Sequence, residues 1–126
     1  MKRKIPEKIK EVGFDFDWNP SKVWGLVEPV SKIHISELVW HFDIPFLWEG
    51  DLAVTPKEIM GDPKRHPSEY NRMLRADTSH PIDIMQHKGR WLILDGLHRL
   101  MKLHSQGIET IEVRIIPRER IKEITK

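Results

Sequence analysis

The chain reads as an α+β domain, a small mixed sheet packed with helices and preceded by an N-terminal extension. Three observations point there. Apolar alternation marks short strands in separate parts of the chain, and helix-start signals fall between them. In RWLILDGLHRLMKLHSQG, Arg90 to Gly107, a buried apolar run gives way to a helical period across a single Asp-Gly step. With 126 residues the chain suffices for one core, and its nine prolines are scattered instead of marking a linker. The expected organisation is an extension over 1–31 wrapped on a core over 32–117, with a basic tail over 118–126.

In the extension, FDFDW alternates as a short strand does, and Phe14, Phe16, Trp18 and Trp24 are expected to grip the core. SKIHISEL alternates Ile33 and Ile35 as a first core strand. The segment VWHFDIPFLWEGD mixes aromatics with His41, Asp43, Glu49 and Asp51, an unusual mixture for a plain loop; Phe42, Phe46 and Trp48 suit a core, and Trp48 also suits stacking on a base. Thr55-Pro56 with Glu58 is a capping box with proline at the first helical position. Gly61-Asp62-Pro63 ends that helix, and His66-Pro67 starts another whose apolar face is Tyr70, Met73 and Leu74, running to about Ala76. HPIDIM and WLIL form a hairpin through Lys88-Gly89. A helix follows from Gly96, with Leu97, Leu100, Met101 and His104 on one face and Gly107 at its end. IEVRII is the last strand, stopped by Pro117.

Composition narrows the chemistry. There is no cysteine, which excludes disulfides, thiolate metal sites and thiol nucleophiles. Net charge is +2, too small to mark a nucleic-acid binder. The basic clusters at Lys2–Lys4 and Arg118–Arg120 read as solvated. No apolar run is long enough to span a bilayer and no secretory pattern opens the chain, so a cytoplasmic location without membrane contact is expected. Neither a phosphate-cradling Walker loop nor a nucleophile elbow occurs. His98 and His104 are six residues apart, on different helical faces, and His41 with Asp43 makes too few ligands for zinc.

Asp95 to Arg99 is the candidate site. A helix that begins straight after a buried strand directs unpaired N–H groups and its positive dipole end beyond the strand, where anions collect. Gly96 admits a phosphate without a Cβ in the way, Arg99 offers a planar fork of donors, and His98 adds a hydrogen bond or moves a proton. Three roles are open to Asp95: holding Mg²⁺, orienting His98, or capping the helix. His80, before Pro81, is expected to approach the junction from the neighbouring strand.

ILDGLHRLMKLHSQG followed by IEVRIIP, and preceded by HPIDIMQHKGRW, resembles the ParB/sulfiredoxin superfamily over about residues 32–117. Its members include CTP-binding partition proteins, ATP-using sulfiredoxins and a free-serine kinase that uses ADP. The resemblance implies a ParB/sulfiredoxin-like fold with nucleotide phosphates at Gly96, Leu97, His98 and Arg99. Leu97 stands where a sulfiredoxin carries its cysteine, so that activity is excluded; partition proteins append helix-turn-helix and dimerisation domains to this region, and partition-type DNA binding is not expected here. Of the kinase motif, Asp-Gly followed by His residues and Arg, the chain keeps Asp95, Gly96, His98 and Arg99 and departs at Leu97. That branch implies ATP, ADP or CTP with Mg²⁺ at Asp95, His98 and Asp95 as catalytic groups, and Glu49 or Asp43 as base toward a small hydroxyl-bearing metabolite. A Mg-dependent phosphotransferase or nucleotide hydrolase is the leading expectation. A non-catalytic nucleotide- or protein-binding regulator and a nucleic-acid-binding or nuclease-like protein are the alternatives; a dimer is compatible with each.

Overall fold

A computed structural model describes residues 4–126. In chain order the elements are α1 (Glu7–Val12), α2 (Pro20–Trp24), β1 (Val30–His34), β2 (Leu47–Glu49), β3 (Leu52–Val54), α3 (Pro56–Gly61), α4 (Pro67–Leu74), β4 (Ile82–His87), β5 (Arg90–Asp95), α5 (Leu97–Ser105), β6 (Thr110–Ile115) and α6 (Ile121–Ile124), with short 3₁₀ turns at Ile35–Glu37, Val39–Asp43 and Arg118–Arg120. The main sheet runs β1-β6-β4-β5 and is mixed: β4 lies parallel to β6 and antiparallel to β5. The chain is therefore α+β, as its pattern indicates.

The β4–β5 hairpin closes through Lys88 and Gly89, both at positive φ (51° and 77°), the backbone that a right-twisted two-residue turn requires. From the end of β5, α5 steps over β4 so that β6 pairs on β4's other side. Leu100 and Met101 of α5 are fully buried against Ile82, Ile84, Ile111 and Val113, while His104 is exposed and touches Phe42 only with its ring. The same face of the sheet receives α3, α4 and the 3₁₀ turns through Ile59, Met73, Leu38 and Phe42. The Thr55 capping box forms as expected, with both reciprocal hydrogen bonds.

Both chain ends cover the opposite face. Val23, Met85, Leu94, Ile116 and Ile124 form a second core, ringed by Phe14, Phe16 and Trp18. The ends are also joined to each other: the Asn19 amide donates to the Ile124 carbonyl at 2.8 Å, and Trp18 bridges Thr125. Residues 118–126 are thus no solvated tail. Ile124 is fully buried, Arg118 donates to the Gln86 carbonyl, and Arg120 pairs with Glu28 and Glu123. Lys2 and Arg3 of the other basic cluster lie outside the described residues.

Three local expectations are corrected. FDFDW is not a strand; Phe14, Phe16 and Trp18 instead pack ring to ring at 5.0–5.9 Å. Trp24 does not grip the core, being 61% exposed. The first core strand stops at His34, whose Nδ1 accepts from the Ser36 amide and starts a 3₁₀ turn at Ile35. The end of the aromatic-rich segment forms β2, which turns at Gly50 (φ 62°) to pair antiparallel with β3. Among the described residues no helix is long and apolar enough to cross a membrane.

His41 ties the 3₁₀ turn to the sheet edge. Only 1% exposed, it donates from Nδ1 to the Leu38 carbonyl at 2.7 Å, and its Nε2 accepts from the Ile93 amide of β5 at 3.1 Å. Burial pushes its pKa from 6.5 down to about 4, against the Leu38 carbonyl, which favours the proton, and with a smaller contribution from the Arg90 charge. The unfolded chain therefore takes up a proton between these values that the folded chain refuses. Stability present above pH 6.5 is expected to fall as pH is lowered toward 4, by about 3 kcal/mol. Urea unfolding of the wild type and His41→Gln at pH 7 and pH 4.5 checks this: the wild type should lose more stability between the two than the variant does.

Candidate functional site

The site is built where β5 becomes α5. Gly96 is the N-cap residue and sits at φ 117°, ψ 19°, a backbone that side-chain-bearing residues rarely adopt. A Cβ there would also lie 3.2 Å from Arg99 Nη2 and from both Ile82 γ-carbons. The glycine is thus demanded by the turn and by its packing. Asp95 precedes the N-cap position, so its carboxylate does not cap the helix. Its Oδ2 accepts from Arg99 Nη2 and from Trp24 Nε1, each at 2.7 Å, and Arg99 Nη1 donates to the Pro81 carbonyl at 2.6 Å. No side-chain cap is present on α5, which leaves the first-turn amides of Leu97, His98 and Arg99 for an outside acceptor.

These residues face an open cleft of about 1310 Å³, lined by all of Asp95 to Arg99 together with Trp24, His80 and Arg72. His80 is where the sequence suggests, at the cleft, but 70% exposed and 3.4 Å from Asp77. Hydrogen bonds from Ser79 hold the Asp77 carboxyl below the usual carboxylate range, with smaller contributions from the charges of His80 and Arg99. His98 is bonded through Nε2 to Glu69 Oε2 at 2.6 Å, and Glu69 Oε1 accepts from Arg72 Nη1 at 3.2 Å. Leu97 packs against the first core.

No family model matches the chain, and no curated protein or solved structure matches it.

Three expected placements differ. Glu49 does not line this cleft: it ends β2, hydrogen-bonds with His66 Nδ1 at 2.5 Å, and borders a separate groove with Glu58 and Asp62. Asp43 is exposed beside Lys57, and Trp48 is likewise not part of the cleft lining. The carboxylate beside His98 is Glu69, which the apolar periodicity of α4 passed over. Its signal was its position four residues before Met73, on the helix face that is buried.

As for Mg²⁺, no group of three His, Cys, Asp or Glu side chains suited to a metal occurs among the described residues. Asp95 is a lone carboxylate whose Oδ2 already takes two hydrogen bonds. A lone carboxylate supplies too few oxygens to hold Mg²⁺ by itself.

Gly96→Ala is expected to lower folding stability by about 2 kcal/mol, since it combines a positive-φ penalty with contacts on Ile82 and Arg99. Chemical denaturation measures it; an unchanged midpoint would mean the turn relaxes freely.

Proposed function

We propose that this chain is a nucleotide-binding protein of ParB/sulfiredoxin-like fold that transfers or hydrolyses a phosphoryl group, with the phosphates at the start of α5. The observation that carries the reading is the uncapped N-terminus of α5, opening into the cleft beside the His98–Glu69 pair. Unpaired amides at a helix start receive phosphate oxygens, and the helix dipole adds to their attraction. Arg99 holds the turn through Asp95 and Pro81 and still has further N–H groups to offer a phosphate.

The His98–Glu69 geometry suits proton transfer. With Nε2–H directed to Glu69, Nδ1 carries the lone pair, so His98 accepts the proton of an acceptor hydroxyl or water and Glu69 stabilises the imidazolium. The acceptor oxygen then bonds to the terminal phosphorus as the bond to the leaving phosphate breaks, and the electron pair departs with the leaving oxygen. Mg²⁺ bound to the phosphates, with Asp95 as the nearest carboxylate of the motif, would neutralise charge on the transferring group. The resemblance gives the base to Glu49 or Asp43; in this reading His98 is the base and Glu69 orients it.

Binding without turnover is the second reading, favoured by the distance of Glu49 and Asp43 from the cleft. A nucleic-acid groove is disfavoured by charge, because the chain's net charge is only +2.

Thermal unfolding with ATP, ADP and CTP plus Mg²⁺ tests the binding. A nucleotide present at a hundredfold excess over its Kd should stabilise the chain by about 2.7 kcal/mol; no rise in Tm with any of the three would overturn the proposal. His98→Gln should keep that rise and slow phosphoryl transfer or hydrolysis by about 10²-fold or more. If the wild type binds nucleotide but neither hydrolyses it nor transfers phosphate to any hydroxyl acceptor in a metabolite panel, the second reading replaces the first.

A further inference from the structure

Trp24 is the one tryptophan among the large hydrophobic side chains left exposed, at 61%. It is nevertheless held firmly. Its Nε1–H donates to Asp95 Oδ2 at 2.7 Å, the same oxygen that takes Arg99, so the indole is one carboxylate away from the start of α5. Its neighbour Val23 is fully buried in the second core. Arg114 clamps the backbone on either side of it, donating to the carbonyls of Val23 at 3.0 Å and Leu26 at 2.7 Å, while its Nε donates to the buried Asp83 at 2.6 Å. Three elements, β4, β6 and β5, thereby fix a solvent-facing aromatic ring at the cleft that carries the phosphate site.

Packing does not account for this ring, since most of its surface remains in water. A ring pinned by its N–H edge, with its π surface open, is suited to stacking on another flat π system. The flat π system that accompanies phosphates is a nucleobase. We propose that Trp24 is the nucleobase platform of the site and selects a purine nucleotide, whose larger base covers more of the indole than a pyrimidine does. This inference rests on the phosphate site proposed above and extends it from the phosphates to the base. Asp95 acquires a second task, orienting Trp24 as well as Arg99.

Isothermal titration of the full chain with ATP, CTP and inorganic tripolyphosphate, each with Mg²⁺, separates the two layers. The wild type is expected to bind ATP more tightly than CTP or tripolyphosphate. Trp24→Ala should weaken ATP roughly 5- to 150-fold, toward the affinity of tripolyphosphate, and leave tripolyphosphate itself unchanged. Trp24→Phe, which keeps a ring but loses the N–H, should retain most of the preference for ATP, and thermal unfolding of both variants confirms that they are folded. If Trp24→Ala binds ATP as the wild type does, or Trp24→Phe loses as much as Trp24→Ala, the platform is wrong while the phosphate site stands. If the wild type binds neither ATP nor tripolyphosphate, the phosphate site and the platform both fall.

Discussion

The left-handed backbone at Gly96 is the constraint from which the site follows. It turns the chain from β5 into α5 within a single residue and places Asp95 just outside the capping position. The carboxylate that would otherwise satisfy the helix start is drawn sideways to Arg99 and Trp24. An Asp at the N-cap would close the helix end with its own charge; displaced by one residue, it orders the surroundings and leaves the end open. Stability, and the phosphate binding proposed for this helix end, thus depend on one turn.

Around that turn the two faces of the sheet play different parts. The face covered by α3, α4 and α5 brings Glu69 to His98, while the face covered by the chain ends brings Trp24 to Asp95. Asp83 and Arg114 link them, as neighbouring strands β4 and β6 carry a buried ion pair whose cation also fastens the segment after α2. An ion pair this well buried is sustained by its additional hydrogen bonds, and Arg114 has two to backbone carbonyls. The N-terminal segment is therefore part of the cleft as well as a cover for the core.

What the sequence made legible was local. The Lys88-Gly89 hairpin, the Thr55 capping box and the Asp95-Gly96 junction each declare themselves in adjacent residues, because turn and cap chemistry acts over a few bonds. The relations that complete the site span the chain. Glu69 and His98 are 29 residues apart and Trp24 and Asp95 are 71 apart, so no periodicity carries them. The three-residue strands β2 and β3 escaped for another reason: their length gives alternation too few positions to register. Ile121 and Ile124 look like two apolar residues in a charged tail until Val23 and Met85 supply the other half of their core.

On the proposed function, the open amides of α5 receive phosphate. Amide-resolved ¹⁵N NMR during titration with ATP and Mg²⁺ tests it most directly, because it reads the N–H groups themselves. The expected result is that the Leu97, His98 and Arg99 amides show the largest shifts and saturate together. Saturating ATP with these three amides unmoved, or the largest shifts at the Glu49–His66 groove, would contradict it.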